Sequence, residues 1–125
     1  MILVDTSVWS EHFRRTDAQL VALLQAGLVL GHELVIGELA CGTPPAPRRQ
    51  VLASLGDLPQ ARSATVSEAI RLLESRQLYG RGLGLIDVLL LASALITPGA
   101  RLFTLDKRLD AAARSLDVAH GEAIQ

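Results

Sequence analysis

Aromatic residues are almost missing from this 125-residue chain: it has two Phe, one Trp and one Tyr. RNA-recognition sheets and OB-folds stack several bases on exposed aromatic faces, so that mode of nucleic-acid binding is excluded. Cysteine is as scarce. A lone Cys41 rules out an internal disulfide and a cysteine-rich zinc site. Nor does one sign of charge prevail, since twelve Lys and Arg stand against thirteen Asp and Glu, a formal net charge of -1. A bulk-electrostatic nucleic-acid binder needs a large positive excess; a nuclease does not. Long apolar runs are also lacking. The most apolar stretch, 88–96, is far short of the roughly 20 residues that cross a bilayer, and Asp5 and Glu11 interrupt any signal-like start. The expectation is a cytoplasmic chain without a membrane association.

What the chain does have is aliphatic bulk. Half of it is hydrophobic, so Leu, Val, Ile and Ala must build the core, and the length suits one domain over 1–125. Met1-Ile2-Leu3-Val4 is wholly apolar and stops at Asp5-Thr6-Ser7, as a buried strand entering a polar turn does. Further short strands are expected at 28–30, 58–61, 102–105 and 118–119. Helices are expected from 17, capped by Thr16 and ended by Gly27; over 33–40 and 47–55; after a Ser67 cap; over 85–96; and over 108–116. Short strands apolar on both faces, alternating with helices, imply an α/β fold with a parallel sheet between helical layers.

Two acids, Asp5 and Asp106, directly follow apolar strands, and the carboxyl ends of parallel strands line the ligand crevice of such sheets. Glu38 and Asp87 lie in segments that otherwise read as buried helix, with no basic residue beside them. Each of the four alone reads most simply as a helix cap or turn residue. Together they read better as one acidic site. Converging carboxylates need raised pKa values or a cation. An all-oxygen set without His or Cys suits Mg2+ or Mn2+ rather than zinc or copper, and such ions commonly serve phosphoryl chemistry.

Four runs then matter together: Val4-Asp5-Thr6-Ser7-Val8-Trp9; Glu38-Leu39 closing on Gly42; Gly84-Leu85-Ile86-Asp87 followed by Leu90-Leu91-Ala92-Ser93-Ala94; and Thr104-Leu105-Asp106-Lys107-Arg108-Leu109. In this order, across essentially the whole chain, they resemble PIN-domain ribonucleases of the VapC toxin type. The resemblance implies a three-layer α/β/α sandwich with a parallel sheet of about five strands. It implies an endoribonuclease dependent on Mg2+ or Mn2+, with Asp5, Glu38, Asp87 and Asp106 as the catalytic, metal-holding acids. Asp5 and Asp87 rank first as direct ligands, Asp106 next, and Glu38 acts directly or through a water. Thr6 and Thr104 match the supporting hydroxyl positions. By analogy, an activated water attacks the phosphodiester in line and leaves a 5'-phosphate and a 3'-hydroxyl. The implied partners are an RNA substrate, a cognate VapB-type antitoxin and a second copy in a homodimer. Many relatives carry a further acid two places after the fourth, where this chain has Arg108.

Other residues carry plainer readings. Arg81, Lys107 and Arg108 flank the acids and are expected to contact RNA phosphates, against the plain reading as solvated charge. Trp9 reads as packing under a helix and Cys41 as a small buried hydrophobe. His12, His32 and His120 are scattered singly and read as surface or local hydrogen-bonding groups. The glycine-rich loop 80–84 lacks the ending of a phosphate-binding P-loop. A receiver-type phosphotransfer domain would need an acid pair after the first strand, and a haloacid-dehalogenase-type phosphatase an Asp at position 7, which is Ser. A non-catalytic PIN-like protein-binding module would be expected to have lost acids, and all four are present. Setting them aside leaves nine acids against twelve bases, a mildly basic surface around an acidic pocket.

Overall fold

The computed structural model describes residues 1–124. In chain order the elements are β1 (Ile2–Val4), α1 (Thr6–Arg14), α2 (Ala18–Gln25), β2 (Val29–Leu30), α3 (Glu33–Cys41), α4 (Arg48–Asp57), α5 (Val66–Ser75), α6 (Leu85–Ile96), β3 (Arg101–Phe103) and α7 (Lys107–Ser115). β1 is the central strand. It pairs in parallel with β2 on one side, Leu3 opposite Leu30, and with β3 on the other, Val4 opposite Phe103. All three side chains of β1 are buried, which explains a run with no polar alternation. Because the chain leaves β1 for neighbours on opposite sides, the carboxyl end of β1 is a switch point of the sheet, where α/β folds place their crevice.

Single parallel bridges extend this sheet at both edges: Gly31 with Gln60 beyond β2, and Leu102 with Ala119 beyond β3. The five expected strands therefore resolve into three paired strands and two bridges. The segment at 58–61 includes Pro59, which has no N–H to donate, so its pairing stops at one residue.

α1 stands where the sequence predicts only a polar turn after β1. Residues 5–7 are not a turn but the cap and first turn of a helix whose Val8 and Trp9 are buried. Trp9 packs against His12 and Phe13, ring centroids 6.2 and 6.0 Å away. Two caps also differ from expectation. Asp17, not Thr16, caps α2 by accepting from the Leu20 N–H at 2.9 Å. Thr65, not Ser67, caps α5 in a reciprocal box with Glu68, which satisfies two otherwise orphaned donors. α6 spans the expected residues and is the most buried helix, with Leu90, Leu91 and Ser93 fully enclosed. Cys41 is exposed rather than buried. Among the described residues no helix is long and apolar enough to cross a membrane.

His32 takes the local hydrogen-bonding role rather than the surface one, and it is 1% exposed. Its Nδ1 accepts from the Leu34 N–H at 3.0 Å and so caps α3. That leaves the proton on Nε2, which donates to Ser93 Oγ on α6 at 2.9 Å. Ser93 Oγ in turn accepts from the Ala64 N–H and donates to the Leu89 carbonyl. One imidazole thereby ties the start of α3 to the middle of α6. Burial holds its pKa below the ordinary histidine value, against the opposing pull of Glu33.

A neutral buried histidine gives stability that is complete above the unfolded-state pKa of about 6.5 and is lost as pH falls below it. We expect the urea midpoint to fall between about pH 7.5 and pH 5, and to fall less in His32→Asn, which keeps a cap acceptor but does not titrate. Equal falls in the two proteins would show that another group provides the linkage.

Candidate active site

The site begins where β1 ends. The Asp5 N–H makes the last ladder bond, to the Phe103 carbonyl at 2.9 Å, and Asp5 then stands at the N-cap of α1. It does not cap that helix with its side chain. Instead its Oδ2 accepts from Ser7 Oγ and Thr104 Oγ1, both at 2.7 Å. Each hydroxyl is itself held by a backbone donor, Ser7 Oγ by the Leu105 N–H and Thr104 Oγ1 by the Asp106 N–H, both at 3.0 Å. With both hydroxyl protons directed at Asp5, the 3.3 Å approach of Ser7 to Thr104 is a contact without a proton. Asp5 is only 5% exposed, so these two donors offset the desolvation of its carboxylate.

Ser7 is a supporting hydroxyl beyond the Thr6 and Thr104 expected from sequence. Its signal was the doubled hydroxyl after Asp5, legible once residues 6–14 are helical. Thr6 serves another acid: its Oγ1 donates to Glu38 Oε1 at 2.6 Å, tying α1 to α3. Glu38 is exposed rather than buried. On α3 only Val35 and Leu39 are buried, and Glu38 stands outside that stripe.

The other two acids sit at helix starts. Asp87, third residue of α6, reaches back so that its Oδ2 accepts from the Gly84 N–H at 3.0 Å. Asp106 caps α7, its Oδ1 accepting from the Leu109 N–H at 3.0 Å. Helix N-termini favour negative charge, and three of them, those of α1, α6 and α7, present these acids. Asp87 is half-buried, and its pKa lies above the ordinary carboxylate value. Burial is the main cause, opposed by the Gly84 N–H and reinforced by repulsion from Asp5 and Asp106. These three carboxylates therefore share one electrostatic neighbourhood.

All four acids follow one pattern. One oxygen of each accepts from a protein donor, while Asp5 Oδ1, Glu38 Oε2, Asp87 Oδ1 and Asp106 Oδ2 accept none among the described residues. No acid of the set is in an ion pair there either; the pairs present are Arg14–Glu11 and Arg114–Asp110.

Residues 2–115 match the PIN domain. The chain belongs to the PIN-domain family. It is 49% identical over 124 residues to Ribonuclease VapC32 of Mycobacterium tuberculosis strain CDC 1551 / Oshkosh, with 99% of each chain covered, and equally to Ribonuclease VapC32 of strain ATCC 25618 / H37Rv.

The donor set of this PIN domain fits a hard divalent cation, being carboxylate oxygen throughout. Among the described residues no three His, Cys, Asp or Glu side chains already stand close enough to share an ion. An open arrangement suits Mg2+, which keeps several waters and takes one or two carboxylates together with phosphate oxygens. Of the basic residues named from sequence, Lys107 and Arg108 lie in the first turn of α7, beside Asp106. The Arg108 side chain covers Gly82, whose φ of +79° needs a glycine and where an added Cβ would meet the guanidinium at 2.5 Å. Arg81 instead lines a cavity with Arg76, Ser115 and Leu116, at the far end of α7.

Thr104→Val takes a donor from Asp5 and an acceptor from the Asp106 N–H, and should destabilise the fold by about 1–3 kcal/mol in denaturant titration. Asp5→Asn should bring the Asp87 pKa down towards the ordinary carboxylate range, read from its side-chain carbon shift during an NMR titration. An unmoved Asp87 would mean that the two acids are not electrostatic neighbours.

Proposed function

We propose that this PIN domain is the ribonuclease toxin of a toxin–antitoxin pair, an endoribonuclease that depends on Mg2+ or Mn2+. The observation that carries the reading is the repeated pattern at four carboxylates, one oxygen fixed by the protein and the other free of any protein donor. Kinship with proteins named Ribonuclease VapC32 supports the substrate class. A divalent ion bound there would supply an activated water and neutralise charge on the phosphodiester.

The chain's own residues do the rest. Asp5, Asp87 and Asp106 would hold the ion through one or two direct carboxylate oxygens and otherwise through its bound waters, and Glu38, oriented by Thr6, would reach it directly or through a water. Ser7 and Thr104 keep the Asp5 carboxylate from turning inward, and the starts of α6 and α7 hold Asp87 and Asp106 at the rim. Pre-set positions of this kind lower the reorganisation required during reaction. Lys107 and Arg108 contact the RNA phosphates on one side of the acids, with Arg81 further along α7. The reading includes a cytoplasmic location, a VapB-type antitoxin that blocks the groove, and a homodimeric toxin.

Purified protein freed of antitoxin should cleave RNA in Mg2+ or Mn2+ and not in excess EDTA, and Asp5→Asn should reduce cleavage to background. Mn2+ should raise the Tm of the wild type, as a ligand of the native state does, and shift the variant less. Equal cleavage in EDTA would overturn the proposal. Expression alone should arrest bacterial growth, and co-expression of the adjacent small gene should relieve the arrest.

A further inference from the structure

A cleft of about 380 Å³ opens between α1, α3 and the turn that follows α3, and Glu38 forms part of its wall. We infer that this cleft seats one nucleobase of the RNA next to the scissile phosphate and thereby sets the base preference of cleavage. The inference rests on the ribonuclease reading of the adjoining acids. A phosphodiester held at those acids has a nucleotide on either side, and the one directed towards α3 meets this opening.

The lining suits a base better than an apolar side chain. Phe13 and Pro44 supply flat apolar surface, while Ser10, Arg14 and Thr43 supply polar groups. The Ser10 and Thr43 hydroxyls have no hydrogen-bond partner among the described residues, and Arg14 has only a 3.6 Å contact with a half-buried Glu11. A base presents an apolar face to the first pair and donors and acceptors at its edge to the others. An aliphatic side chain would leave those polar groups desolvated and unmatched. The volume lies in the range of small-ligand pockets, roughly 300–1,000 Å³.

The walls are also fixed in advance. Arg48 donates to the carbonyls of Ala40 and Gly42, at 2.5 and 3.2 Å, and so clamps the end of α3 from which the turn departs. Phe13 is backed by Trp9. A pre-set wall selects by shape, because a poorly fitting base must bear the cost of reshaping it. One ring facing one cleft also accords with the scarcity of aromatics, which excludes a platform for many bases but not a seat for one.

Two measurements test the inference separately from the ribonuclease reading. The first sequences the 5' ends that wild type, Ser10→Ala, Thr43→Val and Phe13→Leu release from a randomised RNA in Mn2+. We expect a base preference at one position beside the cut that is flattened or changed in Ser10→Ala and Thr43→Val. Phe13→Leu keeps an apolar filler but loses the stacking face, and should raise KM by about 5- to 100-fold, more than it lowers kcat. The second titrates tetranucleotide RNAs that differ at one base into Asp5→Asn protein and follows the NMR signals of Phe13 and Thr43. Shifts that differ among the four bases support the seat even if no cleavage is seen. Unchanged preference and KM in all three folded variants, or shifts absent or identical for all four bases, would overturn it. So would a leucine-rich peptide that moves the Phe13 and Thr43 signals when RNA does not, since the cleft would then be a seat for protein.

Discussion

A buried carboxylate at the end of the central strand constrains everything around it. Asp5 cannot turn inward, because the strand it ends is wholly apolar and buried. Its side chain does not cap its own helix either: one oxygen is taken by Ser7 and Thr104, and the other accepts from no donor among the described residues. Those hydroxyls come from opposite ends of the chain and are brought together only by the β1–β3 pairing. The bond network thus works in both directions. Sheet pairing creates the donors that make a buried charge tolerable, and the charge holds the segment after β3 against the first turn of α1. Repulsion from Asp5, joined by that from Asp106, then reaches Asp87, so the same residue that knits the strands together also loads the site with electrostatic strain. Functional sites commonly carry such a conflict at a cost to stability.

The second constraint lies behind the site. Glu38 and Asp87 stand on different helices, and nothing in the rim bonds one to the other. Their relative position is set beneath the surface, where His32 caps α3 and reaches Ser93 on α6. Ser93 is fully buried in the most enclosed helix, so the link is anchored in the part of the molecule that yields least. Close packing transmits such a constraint without slack. The outer bond from Thr6 to Glu38 then needs only to orient the carboxylate, not to place the helix.

Much of this was legible from the residues. The four acids stood out because each interrupts or ends an apolar run, and α6 was readable along its whole length because it is apolar almost all round. The rest was not, for identifiable reasons. α1 follows its strand with no loop between, so Thr6 and Ser7 read as a turn; only tertiary packing of Val8 and Trp9 decides for a helix. Thr16 and Ser67 are plausible caps in isolation, and Asp17 and Thr65 replace them because the chain path sets which residue precedes the first helical turn. A lone histidine gives no periodic signal at all, so burial of His32 depends on Ser93, sixty-one positions away. The exposure of Glu38 follows from which stripe of α3 meets the core, and a helix apolar on most faces does not announce that stripe.

The position two places after Asp106 shows how one substitution redistributes charge across a site. A carboxylate at residue 108 would add a further negative charge beside Asp106; arginine instead lowers the formal negative charge at that rim by two. Arg108 is not spent on neutralising the acids, since no ion pair joins it to them. Its side chain lies over Gly82, where a left-handed backbone without a Cβ leaves room for it. The guanidinium therefore lies over the loop that leads into α6 and is paired with none of the acids. A near-neutral chain can in this way keep unpaired carboxylates and unpaired cations side by side. Self-neutralisation would cancel both, and the glycine at position 82 leaves the guanidinium its place over the loop.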